Sequence, residues 1–247
     1  MKFDIDEFEF SQNSLNTFKS CPKKFGYKYI DKISWKNDED EEYYESLETG
    51  RDFHLVCERY FSGIPCGNLK EKKEYKNFSK WLERIKKLIP MEKNTEYKTE
   101  YGLVTTIRGV RVKVKYDLAI IKEEDGKLKF DIWDWKTENQ QIDFNKVNER
   151  MQTILYLYTA YKVLPKIYGY EIENIEFRML YYQPDFNSPP VVINYNSERF
   201  KSDEKKIEYI IEEIKKSDFS GYNIKSCKWC EFKNICGNGK SEEQKYN

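Results

Sequence analysis

Apolar side chains recur every three or four residues through most of the first 95 positions, and this spacing predicts amphipathic helices. The predicted helices cover residues 11–30, 49–61 and 70–91. Ser11 or Asn13 would cap the first helix, and Cys21-Pro22 should break it because proline cannot continue the helical hydrogen bonds. The acidic run at residues 38–45 is expected to be a solvated loop.

Strict alternation of apolar and polar residues replaces the helical spacing after residue 95 and predicts β-strands. The predicted strands cover residues 95–107, 110–121 and 127–136, with turns at Arg108-Gly109 and Glu124-Asp125-Gly126. Further on, the pattern predicts a helix over residues 145–164, strands over 172–182 and 190–195, and a last helix from Asn196 or Ser197 to about Lys216. Because a helix separates strands, the sequence indicates an α/β fold with a central mixed sheet flanked by helices.

Composition excludes several classes of protein. The 247 residues have a formal net charge of +0, so the chain as a whole has no net electrostatic attraction to nucleic acid. One histidine, His54, cannot build a two-histidine metalloprotease helix, and with Gly 11 in the whole chain no glycine-rich phosphate loop is found. The N-terminus lacks the features of a signal peptide and no run is long enough to cross a bilayer, so we expect a cytoplasmic protein that contacts no membrane.

The candidate catalytic residues lie at the C-terminal end of the predicted strand over residues 127–136, which carries charged side chains. Asp134 and Lys136 share one face of that strand, because side chains alternate. Asp117 lies about as far before the 124–126 turn as Asp134 lies after it, so the two acids are expected to pair across the ladder. Two close carboxylates repel unless a cation lies between them, which favours a divalent metal ion. Taken alone, Asp134 and Lys136 also fit an ordinary ion pair on an edge strand.

Three basic residues precede Asp117 on the same predicted strand face: Arg111, Lys113 and Lys115. They would follow DNA phosphates, or they form an ordinary solvated face of the sheet.

The cysteine spacing near the C-terminus is typical of a metal site. Cys227 and Cys230 form a CxxC pair, and Cys236 follows after five residues, which leaves a tetrahedral metal or a cubane one ligand short. Of the other cysteines, Cys21 at the helix break is the best fourth ligand, since Cys57 lies on the apolar stripe of its helix and Cys66 lies in a loop. Such a four-cysteine cluster would clasp the N- and C-termini together.

The order of these features resembles a known family. Gly50-Arg51-Asp52-Phe53-His54 on a helix, Asp117 on a strand, Asp134-Trp135-Lys136 on the next strand and Gln152-Thr153-Ile154-Leu155-Tyr156 on a helix resemble the RecB-like branch of the PD-(D/E)XK nucleases. The cysteines resemble those of its iron–sulfur members, which include the AddB nuclease domain and the CRISPR-associated RecB-like exonucleases. The likeness runs from about Ser11 to Cys236 and implies a restriction-endonuclease-like fold.

The resemblance implies a role for each matching residue. The implied ligands of one or two Mg²⁺ or Mn²⁺ ions are His54, Asp117, Asp134 and the backbone carbonyl of Trp135. The implied catalytic residues are Asp117, Asp134 and Lys136, with Lys136 positioning the attacking water. The implied ligands of a structural [4Fe–4S] cluster are Cys21, Cys227, Cys230 and Cys236, with Zn²⁺ as the alternative metal. The implied DNA-binding residues are Gln152 and Tyr156, joined by Arg111, Lys113 and Lys115.

These features lead to one hypothesis about function and one alternative. The hypothesis is a metal-dependent DNA exonuclease that acts at single-stranded ends in DNA repair, recombination or CRISPR adaptation, with a helicase or a CRISPR-integration protein as a partner. The alternative is a non-cleaving DNA-end-binding or assembly subunit. We predict a single nuclease domain over residues 1–247, with a helical part at 11–95, a sheet and catalytic core at 96–217, a cysteine segment at 218–237 and a loose tail at 238–247.

Overall fold

A computed structural model describes residues 4–34, 41–69, 75, 77–227 and 230–236. The chain divides into two compact units, each built from separate stretches of sequence. The first unit comprises Met1–Glu41, Thr106–Val112 and Lys205–Asn247, and the second comprises Glu42–Thr105 and Lys113–Glu204. The single-domain organisation expected from the sequence stays a prediction, and the predicted loose tail at 238–247 lies outside the described residues.

The described elements follow one another in the order expected for an α/β chain. The strands are β1 (Glu9–Phe10), β2 (Thr95–Ile107), β3 (Val110–Glu124), β4 (Lys127–Trp135), β5 (Ile175–Tyr182) and β6 (Val191–Tyr195). The helices are α1 (Gln12–Ser20), α2 (Pro22–Phe25), α3 (Glu41–Phe61), α4 (Phe78–Leu88), α5 (Phe144–Asn148), α6 (Met151–Tyr168), α7 (Ser197–Lys216), α8 (Ile224–Cys227) and α9 (Lys233–Cys236). No helix in the described part of the chain is long and apolar enough to span a membrane.

The second unit contains a mixed sheet, as the sequence predicts. β3 pairs with β2 and, antiparallel, with β4; β4 pairs in parallel with β5, which pairs antiparallel with β6. α6 lies in the connection between the two parallel strands, which need such a crossover. One sheet face packs on α3 and α4 through a core that includes Phe53, Phe61, Trp81, Trp133 and Trp135.

Two tight turns set the register of the hairpins. Arg108 and Gly109 between β2 and β3, and Asp125 and Gly126 between β3 and β4, all have positive φ, between 50° and 84°. Two consecutive left-handed residues form the turn whose twist matches that of the flanking strands. Both predicted turns are therefore confirmed.

The first unit begins with a short strand and a capped helix. β1 pairs in parallel with Arg111 and Val112 of β3. Ser11 caps α1 in a reciprocal capping box with Ser14, and Cys21-Pro22 ends α1 and starts α2, as predicted. A π-helical turn, Gly26–Ile30, follows, and the Phe25 ring stacks on Phe219 with centroids 5.5 Å apart.

One predicted helix start was wrong, and another lies largely outside the described residues. α3 begins at Glu41 instead of residue 49, so the second half of the predicted acidic loop at 38–45 is helical. Acidic residues are stabilised at a helix N-terminus, and Gly50 is tolerated inside the helix although it costs about 1 kcal/mol relative to alanine. The first residues of the predicted helix over 70–91 lie largely outside the described residues, and α4 covers Phe78–Leu88.

The predicted helix over 145–164 and the strand start at residue 172 were also wrong. The helix is two, α5 and α6, broken at Glu149–Arg150, and α6 passes Pro165 to end at Gly169 with a φ of 69°. Pro165 lies inside the helix one turn before its end, and Gly169 takes the left-handed conformation that closes the helix. Ile172–Asn174 is a short 3₁₀ turn before β5.

Candidate active site

The charged end of β4 is a buried cluster in the second unit. Asp134 is only 1% exposed, and its Oδ2 lies 2.7 Å from Nζ of Lys136. Lys136 follows the last residue of β4, and its backbone N–H donates to the carbonyl of Tyr182 at 3.0 Å. The strand alternation therefore places the acid and the base side by side, as the sequence predicts.

Gln152 of α6 joins this pair into a triangle. Lys136 Nζ donates to Gln152 Oε1 at 3.1 Å, and Gln152 Nε2 donates to Asp134 Oδ1. The Lys136 ammonium also lies 5.7 Å from the centroid of the Tyr181 ring, within the range of a cation–π contact. Strand β4, strand β5 and helix α6 thus all fix the position of one ammonium group.

Asp117 and His54 hold the backbone of Trp135 from both sides. Asp117 Oδ2 accepts the Trp135 N–H at 3.0 Å, and His54 Nε2 lies 2.9 Å from the Trp135 carbonyl oxygen. His54 Nδ1 lies 3.3 Å from Asp117 Oδ2. Because a carboxylate and a carbonyl only accept, a doubly protonated ring satisfies both contacts.

The two acids meet where β3 and β4 stop pairing. The recorded ladder ends at Leu118 and Trp133, one position before Asp117 and Asp134. Beyond that pair, the Asp117 side chain takes the place of a backbone acceptor for Trp135. The two strands are therefore close together at this point, as predicted. Asp117 and Asp134 lie one position beyond the last residue pair of the ladder.

Burial and charge act against each other in this cluster. Burial raises the pKa of Asp134, while the Lys136 ammonium opposes that rise. Burial lowers the pKa of Lys136, but Asp134 outweighs it and the pKa is raised. Burial also lowers the pKa of His54, and the hydrogen bond and charge of Asp117 more than compensate. The acids are thus balanced by the Lys136 ammonium, and Asp117 favours the protonated form of His54.

The donor set suits a hard divalent cation. Two carboxylates, a carbonyl and an imidazole are ligands that Mg²⁺ and Mn²⁺ accept. Oδ2 of Asp134 is buried and, among the described residues, accepts no hydrogen bond, although it contacts the ammonium. No three His, Cys, Asp or Glu side chains of the described residues are, however, arranged to hold a metal ion. A metal was predicted from the sequence because two close carboxylates repel each other. In the structure, Lys136 contacts Asp134 and His54 contacts Asp117, and these contacts reduce the repulsion.

The structure places the predicted DNA-binding residues in two settings. Tyr156 is buried on α6, and burial together with the charges of Asp134 and Asp117 raises its pKa, while a hydrogen bond with Gln152 opposes the rise. Arg111 pairs with Glu9 at 2.6 Å, and Lys115 pairs with Glu100. Both basic side chains remain more than half exposed.

Sequence reasoning missed one contributor to the site. Tyr181, beneath Lys136, shares a 2.7 Å hydrogen bond with Thr153 of α6. Gly50 was part of the predicted motif, and the structure adds its contact, since a Cβ there would lie 3.1 Å from Thr137 Oγ1, next to Lys136. Tyr181 reaches the site through the parallel pairing of Asp134 with Tyr181, and no local pattern reports such long-range pairing.

The four cysteines of the predicted cluster belong to the first unit. Cys21, Cys227, Cys230 and Cys236 all line one cavity of about 20 Å³. Burial raises the pKa of Cys227, and Cys236 and Cys21 add to that rise. Four thiolates are the donor set of a structural metal centre, but no three cysteines of the described residues are arranged to hold one metal ion.

The other two cysteines lie elsewhere. Cys57 is 1% exposed in the core of the second unit, as predicted, and Cys66 contacts the Val56 carbonyl oxygen at 3.6 Å. Lys228 and Trp229, within the CxxC pair, lie outside the described residues.

The chain belongs to the PD-(D/E)XK nuclease superfamily, whose model matches residues 9–237. A crystal structure described as a "Putative exonuclease" from Eubacterium rectale matches with a TM-score of 0.58 and 11% identity, over 97% of this chain and 94% of that chain. That likeness concerns the fold alone. The crystal structure of SSO0001 aligns over 96% of this chain and 87% of that chain, with 15% identity and a TM-score of 0.42. No curated protein matches the chain.

Proposed function

We propose that this nuclease is a metal-dependent DNA exonuclease that hydrolyses phosphodiester bonds at single-stranded ends. The observation that carries the proposal is the buried triangle of Asp134, Lys136 and Gln152 at the end of β4. Burying an acid and a base is costly, and a nuclease site is a reason to retain them. The preference for single-stranded ends rests on the resemblance to RecB-like exonucleases.

Each side chain has a defined task in this proposal. Asp134, Asp117, the Trp135 carbonyl and His54 in its neutral form would hold Mg²⁺ or Mn²⁺, so metal binding would release a proton from His54. The ion, when bound, lowers the pKa of water and offsets phosphate charge. Lys136 stays protonated, because Asp134 raises its pKa, and it holds the attacking water and the phosphate oxygens. Gln152 keeps the ammonium in place from the opposite side.

DNA would reach this site along surfaces that offer cations and polar groups. Arg111, Lys113 and Lys115 are placed on the strand that carries Asp117, and they would contact phosphates without reading sequence. Gln152 and Tyr156 would support the bound strand at the site. A helicase or a CRISPR-integration protein would supply the ends, in repair, recombination or CRISPR adaptation.

The cysteines would hold a [4Fe–4S] cluster with a structural role. The four sulfurs line one cavity in the first unit, which supports a shared centre. Zn²⁺ accepts the same four thiolates, so the donor set alone favours neither metal. Visible absorption of the purified protein and its iron and zinc content distinguish the two.

A non-cleaving DNA-end-binding subunit is the second candidate. The observation in its favour is that the carboxylates bond to protein groups, with Asp134 held by Lys136 and Gln152, and Asp117 held by Trp135 and His54. Such a protein would bind DNA ends with the same affinity with or without a divalent cation.

A cleavage assay with two forms of substrate tests the proposal. Purified protein is incubated with end-labelled linear single-stranded DNA and with closed circular single-stranded DNA, each with Mg²⁺, Mn²⁺ or a chelator. We expect only the linear DNA to be degraded, and only with a cation. Asp134→Asn and Lys136→Met should lower the rate by about 10³-fold or more, because each removes a group that stabilises charge in the transition state.

Lys166→Met serves as the matched control, because Lys166 is an exposed lysine of α6 outside the site. It should cut at the normal rate. Cleavage of circular DNA would contradict the exonuclease assignment. Tight DNA binding without any cleavage would favour the second candidate.

A further inference from the structure

The segment that leaves the catalytic strand, residues 137–142, is held by one buried side chain. We call it the post-lysine segment, because it begins directly after Lys136 and leads to α5. It has no helical or strand structure of its own. Irregular backbone next to a site depends on side-chain hydrogen bonds for a fixed position.

Gln183, directly after β5, supplies three such bonds. Its Nε2 donates to the carbonyls of Glu138 at 3.2 Å and Gln140 at 2.9 Å. Its Oε1 accepts the N–H of Ile142 at 2.7 Å. Gln183 is 5% exposed, so water does not readily replace these bonds. Both donor hydrogens of one amide are therefore used on alternate residues of the same segment.

The same segment is tied to the elements that carry the site. At its start, the Lys136 N–H donates to the carbonyl of Tyr182, the residue before Gln183. Further along, Glu138 forms a two-pronged ion pair with Arg150, at 3.1 and 3.3 Å. Arg150 immediately precedes α6, where Gln152 contacts both Asp134 and Lys136.

We propose that Gln183 is a positioning residue for the nuclease reaction. By fixing the post-lysine segment to the end of β5, it sets the backbone from which Lys136 projects and, through Glu138 and Arg150, the start of α6. This inference rests on the proposed function, because it assigns Gln183 a role through Lys136. Among the described residues, Gln183 forms no hydrogen bond with a side chain of the site and acts only on the backbone of the segment.

Two substitutions separate hydrogen bonding from packing. Gln183→Met keeps the length of the side chain and removes all three bonds. Gln183→Asn keeps the amide but shortens the side chain by one methylene, so it cannot span the segment and is the milder change. Gln141→Ala is the matched control, because Gln141 is an exposed amide of the same segment that donates to Ser188 Oγ at 3.0 Å.

Two measurements on these proteins test the inference. Hydrogen–deuterium exchange follows the amides of residues 137–142, and we expect faster exchange in both Gln183 variants, with Ile142 most affected. Single-turnover cleavage of linear single-stranded DNA at saturating Mn²⁺ should slow by about 10- to 100-fold, as when a group that orients a site residue is lost. DNA affinity should stay at the wild-type value, and Gln141→Ala should match the wild type in every measurement.

Each other outcome overturns a specific statement. Unchanged exchange would mean that Gln183 does not hold the segment, and faster exchange with an unchanged rate would mean that the segment does not position Lys136. Parallel losses of rate and DNA affinity would indicate a merely structural role. If Gln183→Met does not fold, Gln183→Asn decides. A wild-type protein that cuts no DNA overturns the proposed function, and this inference falls with it.

Discussion

The candidate active site and the cysteine cavity differ in what holds them together. The active-site residues come from long elements, the 21-residue helix α3, the 9-residue strand β4 and the 18-residue helix α6. The cysteines of the second half of the chain belong to or adjoin α8 and α9, which have 4 residues each. A helix of one turn is not stable by itself in water.

The difference extends to the side chains. Asp134, Asp117, His54 and Lys136 each have a protein partner within hydrogen-bonding or ion-pair distance. The cysteine sulfurs instead share a small cavity, with weak contacts such as Cys227 Sγ to the Asn223 carbonyl at 3.5 Å. The fold itself thus organises the active site, whereas the cysteine region would depend on the proposed metal centre for bonds to its sulfurs.

Replacement of one cavity cysteine should have the largest effect. Cys230→Ser removes one of four ligands, and we expect loss of the bound iron or zinc and a fall of about 10 °C in the melting temperature. The reason is that metal binding contributes several kcal/mol to folding, and each kcal/mol corresponds to about 2–4 °C in a chain of this size. Metal analysis and thermal unfolding followed by circular dichroism measure both.

Cys66→Ser is the control for this experiment, because Cys66 lies in the second unit and outside the cavity. It should keep the metal and the melting temperature. Equal metal content in wild-type protein and Cys230→Ser would contradict the inferred dependence on sulfur ligands. Retention of metal in Cys21→Ser would remove Cys21 from the ligand set.

Much of the sheet was predictable, because its signals are local. The turns at Arg108-Gly109 and Asp125-Gly126 combine residues that accept positive φ with strict alternation on both sides. Asp134 and Lys136 could be placed on one face by the same alternation. The proximity of Asp117 followed from counting outward from one tight turn.

The remaining features depend on contacts that are distant in sequence. Tyr181 has no local signature, because it reaches Lys136 through the parallel pairing of β4 with β5. Gln183 has none either, because its partners on the post-lysine segment lie more than 40 residues earlier in the chain. The start of α3 was missed because the acidic run at 38–45 was expected to be a solvated loop. The close approach of Gly50 to Thr137 explains why a glycine lies inside that helix.

Gly50→Ala tests this close approach and should have an intermediate effect. Alanine favours the helix by up to about 1 kcal/mol, yet its Cβ would press on Thr137 Oγ1, which must move by a few tenths of an ångström. Because Thr137 follows Lys136, we expect cleavage to fall about tenfold while stability changes by less than about 1 kcal/mol. Steady-state cleavage rates and urea unfolding measure the two effects.

Thr137→Ala provides the matched partner variant. It removes the atom that meets the new Cβ, so the double variant Gly50→Ala/Thr137→Ala should regain most of the activity lost in Gly50→Ala. If the double variant is no faster than Gly50→Ala, the loss does not arise from this contact. Such a cycle isolates the interaction because the two residues are direct neighbours.

The smallest expected effect concerns DNA affinity and the basic residues of β3. Arg111 belongs to the first unit and Lys115 to the second, and each is ion-paired, with Glu9 and Glu100 respectively. If each binds one phosphate, Arg111→Ala and Lys115→Ala should each weaken single-stranded DNA binding and reduce the slope of log affinity against log salt by about 0.7. Fluorescence anisotropy over a salt series with Ca²⁺ measures the slope.

Removing the acidic partner of Lys115 should change the DNA affinity in the opposite direction. Glu100→Gln removes the charge that competes with phosphate for Lys115, so it should strengthen binding at low salt. Lys129→Ala is the control, because Lys129 is likewise ion-paired, with Glu124 beside the hairpin turn, and lies outside the basic row. A slope that changes for Lys115→Ala but not for Arg111→Ala would leave Lys115 as a phosphate contact and exclude Arg111. Unchanged slopes for both variants would indicate that Arg111 and Lys115 form only ordinary surface ion pairs.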